Sequence, residues 1–179
     1  MSHPEFPVVL SRDAILRRTH ELAREIQRAY PDAPPLLLVV MDGARVFAEQ
    51  LRRLLPGQLP CAEVRAKSYG DAMVSSGRVE ITLGRDVEVL DRDVVVIEDI
   101  VDTGRTVRAL DERLRALGAR SVKVATLLSK PSRRVVQVDL HWVGFEIPDE
   151  FVIGFGMDVA GRYRDLPYVG VYRAELERA

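Results

Sequence analysis

The chain has 179 residues, enough for one domain with a single sizeable core, and 47% apolar with 30% charged residues is an ordinary folded balance. Its 26 Lys and Arg nearly cancel its 27 Asp and Glu, which excludes a surface built throughout for nucleic acid or anionic membrane but allows a local phosphate site. Cys61 is the only cysteine, so no intramolecular disulfide and no thiolate metal cage can form, as suits a reducing cytosol.

Met1 to Pro7 is polar and proline-bearing, with no apolar signal core, and the longest apolar run, Leu36 to Met41, is too short to span a bilayer. The expectation is a cytoplasmic protein. Ser11 can cap a first helix in which Ile15, Thr19, Leu22, Ala23, Ile26, Ala29 and Tyr30 recur at helical spacing until Pro31. Leu36–Met41 is apolar on both faces, as a strand inside a parallel sheet would be. Asp42-Gly43 breaks it, and Ala44, Phe47, Ala48, Leu51, Leu54 and Leu55 then line one face of a second helix. Glu63–Tyr69 and Val79–Leu83 alternate and read as a strand pair around a loop of small and polar residues, Gly70 to Gly77. Val94–Ile97 is a second fully buried strand. A loop from Glu98 to Thr106 follows, then a helix marked by Val107, Leu110, Leu114 and Leu117 with Gly118 as its cap, and a strand over Val122–Leu128. Beyond Lys130-Pro131 short strand-like pieces lie at Trp142–Phe145, Phe151–Gly154 and Val169–Tyr172. Strand and helix alternating in this way mean an α/β domain with a parallel sheet.

The segment that carries chemistry is Val94 to Thr106. A buried strand delivers a loop at its carboxyl end, where α/β proteins place ligands. Thr103, Gly104, Arg105 and Thr106 sit at a helix N-terminus, where free N–H groups and the helix dipole favour an anion. Glu98 and Asp99 leave the buried strand as carboxylates, an expensive placement without a cation or sugar hydroxyls to satisfy them. One loop thus suits a sugar phosphate with Mg²⁺. Neither a Walker loop nor a Gly-x-Gly-x-x-Gly fingerprint is present. The plainer readings are an N-cap at Asp102-Thr103 and a polar strand end at Glu98-Asp99.

Ile97 to Thr106 resembles the phosphoribosyl-pyrophosphate signature of type I phosphoribosyltransferases. Lys67-Ser68-Tyr69 resembles the start of the flexible catalytic loop of the hypoxanthine-guanine subfamily. Leu127 to Arg134 resembles its purine-recognition lysine segment, and Gly144 to Asp158 with Arg162 to Pro167 its hood and second metal site. The resemblance implies a single domain over 1–179: a parallel sheet flanked by helices, a flexible loop at about 68–78, and a small hood largely from 130–179 with an N-terminal contribution. It implies transfer from phosphoribosyl pyrophosphate to a 6-oxopurine, a homodimer or homotetramer, and no nucleic-acid or membrane partner.

The same resemblance implies residue roles. Thr103, Gly104, Arg105 and Thr106 hold the 5-phosphate, while Glu98 and Asp99 take the ribose hydroxyls directly or through Mg²⁺. Asp102 is the candidate general base, and Ser68 and Tyr69 close over the site. Lys130 donates to the 6-oxo group, Phe151 stacks on the purine, and the backbone at Val152 and Asp158 meets its 2-position. Asp158 ligates a second Mg²⁺, Arg164 is a diphosphate donor, and Gly43 lies in a pyrophosphate loop that the family builds around a cis peptide. Plainer readings are a solvated Lys130, a core Phe151 and a surface ion pair at Arg164. Asp42 departs from the family's usual polar or basic residue there; the expectation is that it faces away, restrained by Arg45. A xanthine-preferring or adenine-specific transferase, and a non-catalytic nucleotide- or RNA-binding regulator, are the alternatives; a donor-only lysine argues against adenine.

Overall fold

The computed structural model describes residues 6–57, 59–68, 79–84 and 87–177. A short strand β1 (Val8–Leu10) precedes helix α1 (Arg12–Ala29), whose first turn is capped by the Ser11 hydroxyl accepting the Ala14 N–H at 3.3 Å. Then come β2 (Leu36–Met41), α2 (Arg45–Leu54), β3 (Cys61–Ser68), β4 (Val79–Leu83), β5 (Asp93–Val101), α3 (Arg105–Ala116), β6 (Ser121–Ser129), β7 (Trp142–Glu146), β8 (Val152–Ile153) and β9 (Val169–Val171).

The main sheet has the order β4-β3-β2-β5-β6-β7, parallel throughout except for the antiparallel edge strand β4. The two all-apolar strands lie side by side at its centre. Leu37, Val39, Val95 and Ile97 pack towards α1 and α2 with Ile15, Leu22, Ile26, Phe47 and Leu51. Their neighbours Leu36, Leu38, Val40, Val94 and Val96 pack on the opposite face with Val107, Leu110 and Leu114 of α3. Burial on both faces is why these strands show no polar alternation.

A second, antiparallel sheet of order β1-β9-β8 gathers chain from both ends. Phe6, Ile153, Tyr163 and Leu166 form its own small core. β1 has no counterpart in the sequence reading, because three residues are too few to show a period.

Three further departures have local causes. β5 does not end at Ile97: pairing with β6 carries it on through Ile100↔Leu128 and Val101↔Ser129, so Glu98 and Asp99 belong to the strand and not to a loop. Leu54 is exposed at the frayed end of α2, where Leu55 turns inward instead, and Ala29 is exposed in the last turn of α1. Gly118 behaves as expected, with φ +84° just past α3.

Candidate active site

The site is built at the carboxyl end of β5. Glu98 is buried and pairs in register with Thr126 of β6. Burial, then the charge of Asp99 and a hydrogen bond to it, push the Glu98 carboxyl well above the ordinary range. Asp99 is raised to about 6, by burial first, against hydrogen bonds from the Ile100 and Asp99 N–H groups and the charge of Arg164. The Ile100 N–H reaches Asp99 Oδ1 at 2.9 Å. Burial thus holds two adjoining carboxyls above their ordinary range, with the Arg164 charge opposing it at Asp99. Among the described residues no three His, Cys, Asp or Glu side chains converge as a metal cage.

Immediately beyond, the chain turns at Gly104, whose φ of +86° makes the left-handed N-cap of α3. A Cβ there would lie 2.5 Å from the Val136 carbonyl, so only glycine lets residues 134–138 cross this close. That crossing is fastened by backbone. Thr103 O accepts the Val135 and Val136 N–H groups at 3.0 Å, Lys130 N–H donates to Val101 O at 3.0 Å, and Arg134 Nη1 donates to Asp102 O at 2.7 Å. A cavity of about 90 Å³ opens over the turn, lined by Glu98, Asp102, Thr103, Gly104 and Thr106 among others. Arg105 N–H lies 3.4 Å from Thr103 Oγ1. Volume and position suit one phosphate-sized anion at a helix N-terminus.

Asp102 is half-exposed and accepts from Arg133 Nε at 3.2 Å. Arg133 Nη1 is also 3.7 Å from Asp149, whose other oxygen is 3.7 Å from Lys130 Nζ. The Lys130 side chain is only 9% exposed, which removes the solvated-lysine reading. Phe151 is 55% exposed and meets Tyr172 edge-on, which removes the core reading. Val152 is buried and paired with Val171.

On the other flank the Met41–Asp42 bond is cis. Gly43 lies so near Asp99 that a Cβ would collide with its carboxylate, and Gly156 is pressed against the Gly43 carbonyl. Gly156 N–H donates to Arg164 O at 2.9 Å, which brings Arg164 to the same place. Arg164 Nη2 sits 2.9 Å from Asp158 Oδ1, and its Nη1 3.5 Å from Asp42. Asp158 Oδ2 accepts the Gly161 N–H at 2.5 Å.

Asp42 therefore does not turn away under restraint from Arg45. Arg45 pairs with Glu49 one helical turn on at 3.4 Å, and Asp42 lies between Arg164 and Arg65, the latter at 3.7 Å. Ser68 ends β3 opposite Val79, while its side chain and residues 69–78, Tyr69 included, lie outside the described residues. Sequence reasoning assigned nothing to Arg65, Arg133, Arg134 or Asp149. Arg133 and Arg134 stood inside the lysine segment already singled out and Asp149 inside the hood segment; Arg65 carried no such signal.

A strand end that sets two carboxyls raised by burial next to an anion-sized turn suits a phosphorylated, hydroxyl-bearing ligand. The phosphoribosyl transferase domain model matches residues 9–160, and the chain belongs to that family. It is 41% identical over 173 residues to the hypoxanthine-guanine phosphoribosyltransferase of Bacillus subtilis, covering 97% of this chain and 96% of that one. It is also 41% identical over 169 residues to the bifunctional protein TilS/HprT of Listeria monocytogenes, where it spans 26% of that protein's length and 94% of its own. A crystal structure of a hypoxanthine-guanine phosphoribosyltransferase from Bacillus anthracis superposes with a TM-score of 0.89 at 33% identity, over 94% of this chain and 100% of that one.

Proposed function

We propose that the chain salvages purines by joining hypoxanthine or guanine to the ribose 5-phosphate of phosphoribosyl pyrophosphate, making IMP or GMP and releasing diphosphate. The observation that carries this reading is the end of β5 running into α3: buried Glu98 lines the cavity over residues 102–106, and Asp99 stands next to it in the strand. Its support beyond that is family membership and the hypoxanthine-guanine relatives.

In this reading Thr103 to Thr106 grip the 5-phosphate. Glu98 and Asp99 face the ribose hydroxyls. As the bond from C1 to diphosphate breaks, positive charge grows on the ribose ring and purine N9 attacks C1. Asp102 takes the proton that leaves N7, and its charge favours the cationic sugar beside it. Lys130 donates to the 6-oxo oxygen, which an exocyclic amine cannot accept. Phe151, already exposed and braced by Tyr172, offers a face for the purine, with the backbone at Val152 and Asp158 near its 2-position. Arg164 contacts the diphosphate, and Gly43 lets the loop backbone come close to it. Ser68 and Tyr69 close the site against water.

The donor set fits Mg²⁺. Glu98 and Asp99 are carboxyls that burial raises, and the charge of Asp158 adds to the shift at Asp99. With too few protein ligands for a cage, Mg²⁺ would be held by these residues together with substrate oxygens and water, its usual manner. When bound it neutralises charge on the departing diphosphate. The same reading carries a cytoplasmic homodimer or homotetramer without nucleic-acid or membrane partners; no helix among the described residues is long and apolar enough to cross a membrane. The test is to supply Mg²⁺, phosphoribosyl pyrophosphate and each of hypoxanthine, guanine, xanthine and adenine, and to identify the product. IMP and GMP are expected. Turnover of adenine alone, or none at all, would overturn the reading.

A further inference from the structure

Lys130 poses a physical problem that the proposed reaction leaves open. An ammonium this deeply buried is costly unless a countercharge is near. The carboxylate in range is Asp149 Oδ1, at 3.7 Å. That separation exceeds an N–H···O hydrogen bond, so the attraction is Coulombic and does not use up the ammonium's N–H donors. The lysine is aimed while keeping N–H donors for a ligand.

The placement of Asp149 is built in. It lies on the connection between β7 and β8, two residues after Ile147, whose N–H donates to Ser129 O at 2.9 Å. Ser129 is the residue before Lys130. Two residues further on, Phe151 O accepts the Tyr172 N–H at 2.8 Å. Anchored on both sides, the carboxylate divides its oxygens between Lys130 and Arg133, each 3.7 Å away, and Arg133 reaches Asp102 at 3.2 Å. Charge alternates along Lys130, Asp149, Arg133 and Asp102. The two ends of this chain of charges are the groups assigned to the 6-oxo oxygen and to N7, neighbouring positions on one edge of the purine.

We propose that Asp149 is a positioning residue for 6-oxopurine specificity, which orients the Lys130 donor and ties it through Arg133 to Asp102. This rests on the reading given under the proposed function. Asp149 itself is half-exposed, so its removal leaves the core intact.

The experiment compares Asp149→Asn, Asp149→Glu, Lys130→Met and the Asp149→Asn/Lys130→Met double variant. In Asp149→Asn the KM for hypoxanthine and guanine rises about tenfold, the loss expected for a charged donor that has lost its aim. The KM for phosphoribosyl pyrophosphate and Tm stay near wild type, and Asp149→Glu restores most of the purine affinity. Asp149→Asn adds little on top of Lys130→Met, because the two act as one unit. Where Lys130→Met turns over too slowly, the same cycle is read from IMP affinity by calorimetry. A purine KM within twofold of wild type, or full additivity in the cycle, overturns the role of Asp149 while leaving the reaction standing. A wild-type protein that makes no nucleotide from any 6-oxopurine overturns the proposed function instead.

Discussion

Two hollows in the molecule differ in size and in what their charges have left to do. The larger, about 310 Å³, lies between α3 and residues 137–141 and contains Arg108, Arg115 and His141. All three are engaged. Arg108 donates to Gln137 O at 2.8 Å, Arg115 Nε bonds both Asp111 oxygens at 2.8 and 2.9 Å, and His141 Nδ1 accepts the Val124 N–H at 3.2 Å. The smaller, about 90 Å³, lies over residues 98–107, beside a buried carboxylate pushed far from its usual titration range. The proposed function puts the ligand where burial displaces a carboxyl from its ordinary range, and volume alone does not locate such a place.

The sharpest way to break this comparison is to substitute one residue in each hollow. Asp102→Ala should keep both KM values near wild type and lower kcat by about 10²- to 10⁴-fold, the usual worth of a positioned base. Arg115→Ala, in the larger hollow, should leave kcat unchanged, since its role is a surface pair with Asp111 at one helical turn. Steady-state kinetics on both variants decides it. An unchanged kcat for Asp102→Ala removes that residue from the base role, and a large loss for Arg115→Ala places chemistry in the wrong hollow.

The same contrast explains which features could be read from the chain. The buried strand, the glycine turn and the helix after it are contiguous, and each has a local cause: apolar residues on both faces, φ above zero at Gly104, and an N-terminus following at once. Glu98 and Asp99 were assigned to a loop because charge after an apolar run normally ends a strand. Only pairing with β6 at Leu128 and Ser129 shows that it does not. Arg45 was assigned to Asp42 although Glu49 stood four residues on, a spacing that helical geometry favours and that sequence alone reveals. The pairings of Asp149 and Arg65 lay out of reach for another reason. Both are exposed residues whose partners come from other elements, so neither periodicity nor a turn signature points to those pairings.

Asp42 sharpens the comparison at the edge of the active hollow, with a smaller effect. Its carboxylate competes for Arg164, the proposed diphosphate donor, at 3.5 Å, and Arg65 on its other side only partly offsets its charge. Asp42→Asn should lower the KM for phosphoribosyl pyrophosphate about two- to fivefold, the scale of an exposed pair, with the purine KM unmoved. A raised KM for the sugar donor would mean that Asp42 holds Arg164 in its working position.

The smallest effect belongs to the larger hollow and is read as stability. His141 accepts a backbone N–H through Nδ1, which requires that nitrogen to be unprotonated. Partial desolvation of the ring, then the charge of Lys123, lower its pKa, with Asp139 and Asp111 opposing and Arg115 adding to the shift. Between the lowered native value and the unfolded value near 6.5, the unfolded chain binds more protons than the native one. The stabilising contribution is therefore complete above the unfolded value and is lost as pH falls through it towards the native value. Tm measured from pH 8 down to pH 5 should fall further for wild type than for His141→Gln, which does not titrate, while kcat at neutral pH stays the same in both. Parallel Tm profiles would mean that the ring is not held neutral. A parallel loss of kcat would mean that the larger hollow communicates with the smaller one after all.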